Sequence, residues 1–174
     1  MSNYGTVNDG NAFFDSRLHA FDWDNASVAD RGKALVQATE LIDQFDYVGR
    51  KYAVQVAVDA LGDVDLDTDA NRATLRAAEL SQPLEFPRGS SSTIPTEIET
   101  ATYLIAKALL SGRDPDADLE ALSTKATAYG DIRTTYNRDG NHQEHVAHLI
   151  PSPQAFNLLR PFLREHHEFD SKRI

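Results

Sequence analysis

The stretch from Gln82 through Leu110, QPLEFPRGSSSTIPTEIETATYLIAKALL, constrains the fold of this chain more than any other. Pro83 and Pro87 each fix their own φ and drive the preceding residue toward extended backbone, so Gln82 to Arg88 is expected to run extended, with Leu84 and Phe86 pointing toward a core. Gly89 to Thr93 is a polar loop with nothing to bury. Thr93 is the expected N-cap, and Pro95 stands where a first helical residue tolerates proline. Beyond it, Ile98, Ala101, Leu104, Ile105, Ala108 and Leu109 recur at intervals of three and four, one apolar stripe opposite Glu97, Glu99 and Lys107. Gly112 supplies the stop.

Such a stripe needs partners, and the chain offers several. Residues 8 to 21 read as a short helix capped by Asn8 or Asp9, with Ala12, Phe13, Leu18 and Phe21 on its face. Asp22 to Asn25 form a polar turn from which Trp23 folds back onto the core while its N–H finds an acceptor. Ser27 and Asp30 open a second helix that runs to about Phe45 with Leu35, Ala38, Leu41, Ile42 and Phe45 on one face, and Asp46 to Gly49 stop it. Residues 50 to 61 mix strand-like alternation of Val54, Val56 and Val58 with helix-permitting alanines, and we read them as helix. Asp63 to Asp69 is a loop leading into a helix over about Ala70 to Leu80. Arg113 to Asp118 reads as a turn. Residues 119 to 140 change character: β-branched and aromatic residues around Gly130 predict two short strands or one bent one, and Asp139-Gly140 fits a tight turn. Ser152 and Pro153 cap a last short helix carrying Ala155, Leu158, Leu159 and Phe162, which Pro161 ends or bends. The residues after it read as a tail that orders only against a partner.

The expected architecture is therefore mainly α: a helical bundle with a small β-hairpin element and extended terminal arms. At 174 residues and 41% hydrophobic content the chain suffices for one domain, 1–160, with 161–174 as the C-terminal tail. No apolar run is long enough to cross a bilayer, and MSNYGTVNDG lacks the features of a signal peptide, so secretion by that route is not expected. The absence of cysteine excludes disulfides, thiolate metal sites and a cysteine nucleophile. A net charge of -10 argues against a general nucleic-acid binder, which needs clustered Lys and Arg. The acids are mostly Asp and Arg outnumbers Lys, a bias that a GC-rich genome or a high-salt environment would each produce.

Searches for chemistry return little. The run DVDLDTD alternates carboxylates as a calcium loop does, but a loop begun at Asp63 places Thr68 where glycine is required and Thr74 where a bidentate Glu should stand, and one begun at Asp65 gives Ala70 and Arg76. His142, His145 and His148 are evenly spaced, yet Gly140 and Pro151 leave little room for a helix that would align them on a metal. Phosphate-cradle, dinucleotide and nucleophile-elbow motifs are missing, and no catalytic residue, cofactor or metal is expected. Arg133, Tyr136 and Arg138 are the nearest approach to a stacking platform for single strands, while Phe13, Phe14, Tyr52 and Tyr103 are accounted for by helical faces.

Taken together, Asn11-Ala12-Phe13-Phe14, Arg17-Leu18, Trp23, Lys33-Ala34-Leu35, Ala38-Thr39, Gly49-Arg50, Gln82-Pro83-Leu84-Glu85-Phe86-Pro87-Arg88, Ile94-Pro95, Ala101, Gly130-Asp131-Ile132 to Tyr136 and Leu158 to Leu163 resemble, in order and spacing, the head-tail connector or adaptor proteins of tailed viruses. The likeness spans nearly the whole chain. It departs in two places: Phe86 stands where many members carry Trp, and residues 51–81 look like an insertion. Members are often labelled DnaT-like single-stranded-DNA-binding proteins, which is the alternative reading.

What the resemblance implies is a structural part of the virion, assembled in the host cytoplasm: a homo-oligomeric ring, twelvefold, under the portal protein and joined to the tail or tail-completion protein. Packaged double-stranded DNA passes through its lumen without specific binding, and an acidic lumen repels the phosphate backbone. Ring closure needs one patch of a subunit to meet a different patch of its neighbour. The expected portal or neighbour interface comprises Arg88, with the loop after it, and the tail residues Pro161, Phe162, Phe169, Lys172, Arg173 and Ile174.

Overall fold

In a computed structural model, which describes residues 3–123, 126–129, 132–135 and 144–164, the apolar segment Thr96–Leu110 is the helix on which the core is built. The described chain is mainly helical. In order, the elements are α1 (Val7–Asp15), α2 (Phe21–Asn25), α3 (Val28–Asp43), α4 (Tyr52–Leu61), α5 (Asp69–Ser81), α6 (Thr96–Leu110), α7 (Pro115–Ser123), β1 (Ala126–Tyr129), β2 (Ile132–Thr135), α8 (Glu144–Ala147) and α9 (Pro153–Leu159), which continues into a 3-10 turn at Arg160–Phe162. Strands β1 and β2 pair antiparallel, with Ala126 opposite Thr135 and Tyr129 opposite Ile132. The turn expected at Asp139-Gly140 lies outside the described residues.

Helix α6 is packed on more than one side. It lies against α3 and α9 and touches α2, so Thr102, Tyr103 and Ala106 are buried together with Ile98, Ala101 and Ile105. Leu104, Ala108 and Leu109, expected on the buried stripe, are only half-buried. The buried Thr102 hydroxyl is satisfied within the helix, donating to the Ile98 carbonyl at 2.8 Å. Thr93 does not cap the helix: Pro95 itself occupies the N-cap position, no side chain caps the first turn, and Thr93 is occupied with Ser91 in the preceding loop.

The first expected helix is two. Thr6 caps α1 by accepting from the Asp9 N–H, and the helix ends at Ser16. After it the chain turns through His19, at a positive φ, into the short α2. Trp23 lies in α2 rather than in a turn, and the break throws Leu18 and Phe21 outward, 86% and 75% exposed. Trp23 itself is fully buried, its Nε1 donating to Asn11 Oδ1 at 3.0 Å. Arg31 then closes the corner, donating to Asn11 Oδ1 and to the carbonyls of Trp23 and Asp24. Gly10 is where α1 touches the indole: a Cβ there would lie 2.6 Å from Trp23 Cζ2. Gly10→Ala is therefore expected to destabilise by about 2 kcal/mol, overriding the helix-propensity gain of about 1 kcal/mol, because Trp23 is held too firmly to move. An unchanged denaturation midpoint would show that the ring can shift.

Ser27 caps α3 as the S-x-x-D spacing predicts, accepting from the Asp30 N–H at 3.1 Å while its hydroxyl donates to the Asp30 carboxylate. Of segment 50–61, Tyr52–Leu61 is helical while Lys51 bridges to Arg88, and Thr68 caps α5. Arg113 to Asp118 is not simply a turn: Asp114 Oδ1 accepts from the Asp116 N–H at 3.1 Å and α7 begins at Pro115, a first-residue proline that the sequence reading passed over. One helical turn, α8, also fits between His142 and Pro151. Ser152 caps α9 as expected.

Candidate functional site

The segment expected to carry an interface, Gln82 to Arg88, turns inward at nearly every residue. Phe86 is buried, its ring edge-on to Tyr47 at 4.7 Å, Phe162 at 5.6 Å and Tyr4 at 6.1 Å between centroids, and the Phe86-Pro87 peptide is cis. Gln82 ties the loop to α4: its Nε2 donates to the carbonyls of Leu84 and Pro87, and its Oε1 accepts from the Ala53 N–H.

Arg88, expected to face a neighbour, is spent on its own chain. Its Nε donates to Val48 O at 3.2 Å, Nη1 to the Glu85 carbonyl at 3.3 Å and to Glu85 Oε2 at 2.5 Å, and Nη2 to Tyr47 O at 3.2 Å and Gly49 O at 2.5 Å. The guanidinium also lies 5.7 Å from the Tyr47 ring centroid, and its side chain is only 13% exposed. A planar fork with five N–H groups suits this set of acceptors; a lysine would not. Lys51 makes the second ion pair to Glu85, at 3.0 Å. The Gly49-Arg50 pair therefore meets the proline segment, Gly89 N donating to Arg50 O and Gly49 O receiving Arg88, so two of the short motifs in the sequence are halves of one internal joint.

A second polar chain anchors the N-terminal residues in the same place. Tyr4 is fully buried; its N–H donates to Thr39 Oγ1 at 3.1 Å, its hydroxyl donates to the Asp43 carboxylate, and the same hydroxyl accepts from the Phe86 N–H at 3.1 Å. Burial and the adjacent carboxylate hold the Tyr4 phenol far above its ordinary pKa, so it is a donor at any ordinary pH. Burial likewise raises Asp43, with the Tyr4 hydrogen bond opposing it. A carboxyl whose pKa is higher folded than unfolded contributes stability below the ordinary carboxylate range, and that contribution is lost as pH rises through the raised folded value. The wild-type chain is thus expected to lose thermal stability from about pH 4 upward by an amount that Asp43→Asn, which keeps an acceptor for Tyr4, does not lose. Parallel pH profiles for the two proteins would contradict this role.

Phe162, another expected interface residue, packs on Phe86, and its carbonyl accepts from the Val48 N–H at 2.9 Å. Leu163 bridges to Tyr47, and Arg164 N donates to Asp46 O, so the start of the segment read as a tail is tied to residues 46–48. Pro161 is exposed in the 3-10 turn. Phe169, Lys172, Arg173 and Ile174 lie outside the described residues, as do Tyr136 and Arg138 of the stacking platform. Of the remaining aromatic candidates, Phe14 and Tyr103 are buried, and Phe13 lies against both with Arg17 over its outer face at 4.0 Å. His148 stacks on Phe156 at 5.2 Å, and among the described residues no group of three or more acidic or histidine side chains is placed to hold a metal. Among those residues, no helix is long and apolar enough to cross a membrane.

Two further surfaces, not singled out by the sequence, stand at opposite ends of α3. Helix α4 is apolar all round, with only Gln55 and Asp59 polar, and a helix of that kind belongs in a core. Here it packs chiefly against α5, and neither helix has a fully buried residue. At the other end of α3, Phe21, Ala26, Ala34, Leu109 and Leu110 line a groove of about 520 Å³ together with the polar Asn25, Lys33 and Gln37 and the acids Asp22 and Asp30. Comparison of the chain with protein-family models, with curated proteins and with solved structures returns no match.

Proposed function

We propose that this chain is a head-tail connector (adaptor) protein of a tailed virus, a ring-forming subunit that sits under the portal, joins it to the tail and lets packaged double-stranded DNA pass. In finer terms, the reading is a helical bundle with a small β-hairpin and terminal arms that reach the portal and tail proteins, in the virion at the head-tail interface. The observation that supports it is the separation of two surfaces unlike each other, the apolar α4–α5 hairpin and the mixed groove beside Phe21. The groove beside Phe21 lies at the N-terminal end of α3; the α4–α5 hairpin joins the body at the C-terminal end, where Lys51 and Glu85 meet and Glu85 N reaches Asp43. Sixteen residues of helix separate these ends by about 24 Å. A subunit with different sticky surfaces at opposite ends makes heterologous contacts, which close into a ring when the rotation between copies allows.

The residues shared with the connector pattern are consistent with this reading in a specific way. Asn11, Trp23, Gly49, Gln82, Phe86 and Arg88 all serve internal joints, so the pattern describes a subunit frame and leaves the contact surfaces to vary.

Quantitative mass spectrometry of purified virus particles tests the proposal. A copy ratio to the portal protein near one is expected. A chain abundant in infected cells and missing from particles would overturn it, and salt-dependent binding to single-stranded DNA would then be the next assay.

A further inference from the structure

The α4–α5 hairpin has an outer face as well as an uncovered core face. On α5, Asn71, Leu75 and Ala78 turn toward α4, while Ala73, Ala77 and Leu80, spaced i, i+4 and i+7, are exposed, Leu80 at 75%. Small residues at the first two positions allow another surface to approach closely. Arg72 and Arg76 border this stripe. Arg72 is engaged loosely by Asp67 and Asp69 at 3.6 and 3.8 Å, whereas Arg76 has no ion pair among the described residues. Asp69, one turn before Ala73, stands at the N-terminal end of the stripe beside Arg72, so Arg76 is the arginine left along its edge.

The groove at the far end of the molecule is its complement. Its lining is mixed: Ala26, Ala34, Leu109 and Leu110 are apolar, Asn25, Lys33 and Gln37 are polar, Asp22 and Asp30 are acidic, and Phe21 stands 75% exposed. Asp30 already holds Lys33 at 2.9 Å and accepts from Ser27, which leaves Asp22 as the acid without an ion pair among the described residues. The hairpin cannot reach the groove of its own chain, because the two lie at opposite ends of α3.

From this we infer that the α5 stripe Ala73-Ala77-Leu80 of one copy docks into the Phe21–Leu110 groove of the next, with Arg76 paired to Asp22. The inference rests on the ring reading above and specifies its subunit contact. It also gives residues 51–81 a purpose: they are the projecting half of the joint. The contact is head to tail, so each copy offers one hairpin and one groove.

The absence of native cysteine makes the test direct. The double variant Phe21→Cys, Leu80→Cys, both at exposed positions, is expected to give a ladder of disulfide-linked oligomers on mild oxidation, and neither single variant should give more than a dimer. In parallel, Arg76→Asp and Asp22→Arg are each expected to weaken self-association roughly tenfold or more, by native mass spectrometry, since each sets like charges face to face. Mixing the two variants should restore assembly, because each then offers the other an opposite charge. Circular dichroism confirms that the variants fold. A double-cysteine chain that forms no ladder overturns the docking. If that chain is nevertheless oligomeric and the charge variants assemble normally, the ring reading stands and only this contact fails. A chain that is monomeric and missing from virus particles overturns both.

Discussion

Arg88→Ala is expected to lower the unfolding free energy of the isolated chain by about 3 kcal/mol, the range for removing one member of a largely buried, charge-assisted network. The side chain ties Glu85 to the carbonyls of Tyr47, Val48 and Gly49, so its loss leaves acceptors from two segments without a donor and Glu85 with Lys51 alone. Arg88→Lys should recover less than half of that, since an ammonium on a flexible stem cannot serve the planar set of acceptors. The midpoints of urea unfolding for the two variants provide the measurement. The opposite pattern, an unchanged midpoint with assembly lost, would return Arg88 to the interface role that its sequence context invites.

Phe86→Ala should cost more, about 4 kcal/mol. Four stretches of chain converge on the ring: Tyr4 near the N-terminus, Tyr47 after α3, Phe162 after α9, and the proline segment itself. Each is pinned by its own hydrogen bonds, Tyr4 to Thr39 and Asp43, Tyr47 through its hydroxyl to Ile42 O at 2.7 Å, and Phe162 through its carbonyl to Val48. The surroundings therefore cannot collapse into the space left behind, which is the condition under which a large-to-small change is most costly. Phe86→Trp is informative in the other direction. Many connector proteins carry Trp here, but with three rings already edge-on to Phe86 the larger indole is expected to destabilise this chain by about 2 kcal/mol. If Phe86→Trp instead stabilises, the pocket has slack that the ring geometry does not reveal.

The features legible in the sequence were those set by neighbours along the chain. Caps at Ser27 and Ser152 followed from a hydroxyl placed one residue before a helical run, because the bond they make spans only three residues. The buried Ile98, Ala101 and Ile105 of α6 and most of the buried face of α3 followed from helical period, and the burial of Trp23 with a partner for its N–H followed from the cost of leaving that group unpaired. The failures were also local in origin. Residues 8 to 21 hold apolar residues at roughly helical spacing, and nothing in that spacing announces the break at Ser16 that exposes Leu18 and Phe21. Pro115 is a helix start only because Asp114 folds back to cap it.

Arg88 shows what the sequence leaves undecided at the candidate site. An exposed-looking cation in a proline-rich loop next to GSSST reads as a contact residue until residues 47–49, some forty positions earlier, are brought beneath it. The same holds for Phe162, whose partner Phe86 is still more remote in sequence. Conversely, residues 50–61 mix strand-like and helix-permitting signals, and only the packing reveals that α4 lies chiefly against α5 and buries none of its residues fully.

By itself, then, the sequence determined the mainly helical character, the start of α3, the helix α6 at the centre of the core, and the exclusion of cysteine chemistry, because these depend on residue type and on spacings of a few residues. Only the tertiary structure decided which residues of the short motifs face inward, and which surfaces remain for partners. Those depend on contacts between segments separated by tens of residues, and neither periodicity nor capping carries that information.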